Sequence, residues 1–113
     1  MGIAQDPSQN LWVTTWGWGI AVLDDNEVWQ RFDHRNSALR GITQPSVPEF
    51  VVVSDIQPDA QGAMWMTNVQ AGLVVMEGFP DVRSFLHDLD ALGLPAAAHL
   101  SRVAIGPDAR KWV

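Results

Sequence analysis

Trp16-Gly17-Trp18-Gly19 is the segment of this chain best equipped to do chemistry on another molecule. Two indoles flanking a glycine in a turn present flat rings, suited to stacking on a sugar or clasping a peptide. His34, Arg35, Asn68 and Gln70 are the polar residues expected at the same end of the fold, where they would supply hydrogen bonds to such a ligand. Covalent and metal chemistry find less support. His34, His87 and His99 are scattered, without the short spacing of a metal site, and read as solvated loop or strand-end residues. Asp6, Ser8 and Asn10 alternate as in a calcium loop, but the downstream glycine and the bidentate acid are missing, so turn chemistry explains them. No serine stands in a nucleophile-elbow context, and no carboxylate pair is arranged for glycoside hydrolysis. The absence of cysteine removes disulfides, zinc–thiolate sites and thiol nucleophiles together. The expectation is a binding module with no catalytic residue, metal or cofactor.

The totals narrow the partners. A formal net charge of −6 over 113 residues disfavours a nucleic-acid backbone or an anionic membrane surface. No apolar run approaches the roughly 18 residues that suggest a membrane span. Met1 is followed by Gly-Ile-Ala-Gln-Asp, with neither the basic nor the apolar region of a signal peptide. Six Trp and no Tyr make an unusual aromatic set, and a repeat accounts for half of those tryptophans.

That repeat must position everything else. Ile3, Asp6, Trp12, Thr14, Gly19, Val22 and Phe32 recur without a gap, 53 positions on, as Ile56, Asp59, Trp65, Thr67, Gly72, Val75 and Phe85. Between them the changes are mild: Leu11 becomes Met64, Val13 Met66, Ile20 Leu73 and Leu23 Met76. A third copy starts at Ile105-Gly-Pro-Asp108 and reaches Trp112, four residues after its Asp rather than six, which predicts a tighter first turn. Each unit reads as a meander of four short strands. The first has Gly2 to Gln5, Leu11 to Trp16, Gly19 to Asp24 and Val28 to Asp33; the second has Phe50 to Gln57, Ala63 to Asn68, Gly72 to Glu77 and Val82 to His87. The organisation is therefore a first blade over 1–33, a connector over 34–49, a second blade over 50–87, a connector over 88–98 and the start of a third blade over 99–113. The first connector, with Asn36, Gly41, Pro45 and Pro48, predicts irregular structure. The second predicts a helical turn or two, with Asp88 as N-cap and Gly93 as its stop.

Local chemistry assigns roles within a unit. The Asp6 and Asp59 carboxylates should accept backbone N–H groups of their hairpins, with Gly62, or Asn10 in the first copy, taking the left-handed conformation. Each tryptophan six residues on should wedge between sheets, its indole N–H finding a carbonyl of the neighbouring sheet. Strands apolar on both faces, such as Leu73-Val74-Val75-Met76, predict sheets sandwiched between neighbours. In such a meander Trp16-Gly17-Trp18, Val69-Gln70-Ala71, the 34–49 connector and the segment from Asp88 to His99 share one end; the Asp turns share the other.

The series Ile56-x-x-Asp59-x-x-Gly62-x-x-Trp65-x-Thr67…Gly72-Leu73 resembles the two-component regulator propeller repeat, and Lys111-Trp112-Val113 resembles its type IX secretion (Por) branch. The resemblance implies an all-β fold of propeller blades, incomplete here at two blades and the start of a third. Asp6, Trp12, Thr14, Gly19, Asp59, Gly62, Trp65, Thr67, Gly72, Asp108 and Trp112 would be its structural positions. It further implies a periplasmic or extracellular place as the ligand-sensing part of a two-component-type sensor, or a scaffold in type IX secretion. A propeller lyase is the more distant reading. Its partners would be the remaining blades of a longer chain, or further copies of this one, and a carbohydrate or peptide ligand.

Overall fold

The computed structural model describes residues 2–43, 45–79, 81–93, 104–105 and 111–112; His99 and Asp108 lie outside them. Among the described residues the secondary structure is all β. The strands are β1 Ile3–Gln5, β2 Leu11–Thr14, β3 Trp16–Gly17, β4 Ile20–Leu23, β5 Trp29–Phe32, β6 Ile42–Thr43, β7 Ser46–Val47, β8 Val51–Pro58, β9 Met64–Asn68, β10 Gly72–Glu77, β11 Arg83–Asp88, β12 Ala104–Ile105 and β13 Lys111–Trp112. They form a four-stranded antiparallel sheet in the order β1-β2-β4-β5 and a five-stranded one in the order β11-β10-β9-β8-β3.

The repeated residues build each sheet from its turns. Asp6 Oδ1 accepts the backbone N–H groups of Ser8 and Asn10, both at 3.0 Å, and Asp59 Oδ1 accepts those of Gln61 and Ala63, both at 2.9 Å. Asp24 repeats the device at the β4–β5 turn, accepting from Asn26 and Val28 at 2.9 Å. In all three turns the fourth residue takes a positive φ: Gln9 at 68°, Glu27 at 62° and Gly62 at 87°. The left-handed residue of the first turn is thus Gln9, not Asn10. Asn10 is occupied otherwise, its side-chain amide donating to Asp6 Oδ2 at 2.8 Å. Gly19 and Gly72 precede and open the third strand of each unit, where a Cβ would stand 2.1 Å from the carbonyl oxygen of Phe32 or His87. Thr14 and Thr67 are both buried and tie the second strand to the first, Thr14 through Gly2 and Thr67 through Ser54.

Three features depart from two equal four-stranded meanders. The second strand of the first unit ends at Thr14, and Trp16–Gly17 crosses to pair with Val52 and Val51 as a fifth strand on the second sheet. The fourth strands differ by two residues in register. Ile20 pairs with Phe32 but Leu73 with His87, so Phe85, opposite Val75, stands where Gln30 stands in the first sheet. The ungapped repeat therefore holds through the third strand only. Finally, Ile105 pairs with Lys111, leaving residues 106–110 between the paired ends, as many as residues 6–10 between Gln5 and Leu11. The turn itself, with the tightening expected around Asp108, lies outside the described residues.

The connectors carry more order than their composition predicts. Within 34–49, β6 and β7 pair as a two-residue ladder, Ile42 opposite Val47 and Thr43 opposite Ser46. After β11 the chain makes one turn, with the Leu92 N–H donating to the Asp88 carbonyl at 3.0 Å. Asp88 Oδ1 caps it by accepting the Ala91 N–H at 2.8 Å, and Gly93 ends it at φ 74°.

The core lies between the sheets. Trp12, Ile20, Val22 and Phe32 on one face of the first sheet pack with Ile56, Met64, Met66, Val74 and Met76 on one face of the second. Leu39, from the first connector, completes the cluster.

Candidate functional site

The tryptophans of the repeat are structural, and their acceptor is local. Trp12 Nε1–H donates to Asp6 Oδ2 and Trp65 Nε1–H to Asp59 Oδ2, both at 2.9 Å. The expected carbonyl of a neighbouring sheet is not used, because the carboxylate six residues earlier already spans the turn and has an oxygen to spare. Burial pushes the Asp6 carboxyl up. The donors from Trp12, Asn10 and Ser8 outweigh it and hold the group below its ordinary 3.8.

At the opposite end the two units and the first connector enclose a cleft of about 480 Å³, lined chiefly by Trp18, Arg31, His34, Arg35, Glu49 and Phe50. Its position follows from the crossing of β3. The Gly19 N–H donates to the Val51 carbonyl at 3.0 Å, and the Trp18 N–H to Thr15 Oγ1 at 3.0 Å. Gly17 lies under the Phe50 ring, one edge of which is 2.3 Å from where a Cβ would stand. Any side chain at residue 17 would displace that ring. Trp18 is 65% exposed and carries the Arg31 guanidinium 5.5 Å above its ring centroid, a cation–π contact.

Asp33 is the electrostatic centre of this end. Its Oδ2 accepts Arg35 Nη2 at 2.8 Å and Arg31 Nη2 at 3.2 Å, and its Oδ1 accepts the Arg35 backbone N–H at 2.9 Å. The Arg35 side chain, ahead of the opposing effect of burial, draws the carboxyl down to about 2. Asn36 Oδ1 accepts the Asp33 N–H and Ser37 Oγ donates to the Asp33 carbonyl, so the strand end is locked. Both guanidiniums are thereby held by one buried acid while their remaining N–H donors stay available beside an exposed indole. His34 also lines the cleft; its Nδ1 is buried, with no hydrogen-bond partner among the described residues.

Of the six residues expected to bind, Trp18, His34 and Arg35 converge on this cleft. Trp16 is 59% exposed but pairs with Val52 and is not in the lining. Asn68 is fully buried and structural: its Oδ1 accepts the Arg40 N–H at 2.7 Å, and its Nδ2 donates to the carbonyls of Arg40 at 3.0 Å and Val52 at 3.1 Å. Gln70 sits in the β9–β10 turn at φ 67°, away from the lining. Arg31, Asp33, Glu49 and Phe50 were not singled out from sequence. Asp33 carried a legible signal, since an Asp directly after a strand invites an Asx turn at its end.

His87 is not simply solvated. Its ring stacks on Trp65 with centroids 5.7 Å apart and planes at 10°. Among the described residues no group of three or more His, Cys, Asp or Glu is placed to hold a metal, and no helix is long and apolar enough to cross a membrane.

No protein-family model, curated protein or solved structure matches this chain.

Proposed function

We propose that the chain is a non-catalytic ligand-binding module built from propeller-type blades, and that its ligand lies in the Trp18 cleft. The observation that carries this reading is the cleft itself. An exposed indole and a two-arginine fork held on one buried carboxylate border a largely apolar hollow. Few, fixed polar groups over an apolar floor are the usual make-up of a small-molecule site. A carbohydrate or short peptide fits it: a flat apolar face stacks on Trp18, while hydroxyl or carbonyl oxygens accept from Arg31 and Arg35.

The blade reading is supported by the sense in which the sheets stack. The tryptophan face of the first sheet meets the methionine face of the second, head to tail, and units stacked this way form closed rings when the rotation permits. With the resemblance of the repeat, this supports an extracytoplasmic sensor of the two-component type. Docking of another protein, as in a type IX secretion scaffold, is the second reading, favoured by the apolar sheet faces described below.

Calorimetric titration against panels of neutral and acidic oligosaccharides and of short peptides tests the proposal. Saturable binding that is lost in Trp18→Ala and weakened at least tenfold in Arg31→Ala is the expected result. Undiminished binding in Trp18→Ala would place the site elsewhere, and no binding by the folded chain to any panel would end the small-ligand reading.

A further inference from the structure

The packing between the two sheets is a finished example of an interface whose two halves recur, unfilled, on the outside of the molecule. Within the chain, Trp12, Ile20, Val22 and Phe32 of the first sheet press on Met64, Met66, Val74 and Met76 of the second. The second sheet carries on its far side, through its third strand, the face that the first uses. Trp65, Val75 and Phe85 are one cross-strand row, and Thr67, Leu73 and His87 are the next. The first sheet carries on its far side the same face that the second uses. Leu11, Val13, Ala21 and Leu23 hold, 53 positions earlier, the places of Met64, Met66, Val74 and Met76.

Among the described residues each outer face has exposed large side chains, while Val75 and Leu73 on the second are 8% and 4% exposed. On the first sheet Ile3 is 67% exposed, Leu11 36% and Trp29 57%; on the second Phe85 is 49% exposed. Leu89 and Leu92, from the turn after β11, pack on Leu73 and Trp65 but leave Phe85 uncovered. β12 lies beside β8, at the side of the sheet away from β10 and β11. Large side chains presented together to water mark an interaction surface.

We propose that these faces form a head-to-tail interface between copies of this chain. The Leu11–Val13–Ala21–Leu23 face of one copy seats on the Phe85 side of the next, with Trp29 and Leu23 meeting Phe85. The second copy is the occupant that the molecule itself specifies: for the second and third strands the internal contact already joins these two residue sets in this sense, and Trp29 and Phe85, whose register counterparts inside the chain are Ser84 and Gln30, extend it at the exposed fourth strands. The interface is heterologous, so the association continues to larger species unless a ring closes. It does not depend on the ligand of the Trp18 cleft.

Sedimentation velocity over a range of concentrations tests this, using native chain, Trp29→Glu and Phe85→Glu, each shown to be folded by circular dichroism and thermal unfolding. Both substituted residues are more than 45% exposed, so folding should survive. The native chain is expected to pass reversibly from monomer to dimer and beyond as concentration rises. Each variant alone should lose association by at least tenfold. A mixture of the two should recover a dimer and nothing larger, because Trp29→Glu keeps an intact Phe85 face and Phe85→Glu an intact Trp29 face. A native chain that stays monomeric, association indifferent to both variants, or a mixture that fails to pair would overturn the interface. The last of these would indicate a like-with-like contact or docking reserved for further repeat units.

Discussion

Trp12 and Trp65 occupy the same position in two copies of one unit and donate to equivalent carboxylates at the same 2.9 Å, yet their surroundings differ. Trp12 is 1% exposed, stacked on Phe32 at 6.3 Å and 11° and met edge-on by Phe79 of the β10–β11 turn at 5.8 Å. Trp65 is only half-buried, with His87 stacked at 5.7 Å and 10° where the register places the counterpart of Phe32. Hydrogen-bond geometry is therefore a property of the unit, complete within a turn and one strand. Burial is a property of the stack, supplied by the next sheet. Apolar burial carries most of the stabilisation, so identical local structures should contribute unequally.

The sharpest way to break this comparison is to remove each ring. Trp12→Ala opens a hole between two sheets and should cost about 3–5 kcal/mol in urea unfolding. Trp65→Ala removes a ring already partly in water and should cost roughly half as much, about 2 kcal/mol. Equal losses would mean that the covering sheet adds little. The next contrast lies in the carboxylates. Asp6→Ala strands the buried Trp12 indole N–H and the Asn10 amide, and about 2–4 kcal/mol is expected from desolvated, unpaired donors. Asp59→Ala exposes its donors to solvent more readily, and about 1 kcal/mol is expected.

Much of this contrast was legible in the sequence, and what was not has a common cause. The Asp turns, the tryptophan strands, the Asp88 cap and the Gly93 stop all rest on bonds closed within about six residues, where residue type and spacing suffice. Trp16–Gly17 reads locally as a turn because its strand partners, Val51 and Val52, are remote in the chain. Asn68 reads as a surface amide for the same reason: its partners are Arg40 and Val52. The identity of Phe32 and Phe85 concealed a two-residue difference in register, which only the pairing of β11 with β10 reveals. In the cleft, Trp18, His34 and Arg35 were found by type, whereas Arg31 and Phe50 enter through strand pairing and the crossing of β3.

Acid weakens both ends, and Asp33→Asn separates the cleft end from the turn end. Asp33 falls from an ordinary 3.8 to about 2 in the folded chain, so its ion pairs stabilise the fold fully above pH 4 and are lost as pH falls towards 2. Asp6 is also depressed and acts in the same direction. The native chain should therefore lose stability between about pH 4 and pH 2 in thermal unfolding. Asp33→Asn should flatten that decline while leaving the Asp6 part, and should weaken any ligand that depends on Arg35. An unchanged slope in Asp33→Asn would mean that the arginine fork is not formed in solution.

The smallest expected effect sharpens the comparison most directly. His87→Phe gives Trp65 the partner that Phe32 gives Trp12, in the same cross-strand place opposite Leu73 as Phe32 has opposite Ile20. Phenyl replaces imidazole against an indole, adding apolar contact and removing no hydrogen bond made among the described residues. A gain of about 0.5–1 kcal/mol in urea unfolding is expected, with Trp65 emission shifted to the blue as water is excluded from the indole. A loss of stability would show that the second unit has its own covering chemistry, tuned to an imidazole, rather than an unfinished version of the first.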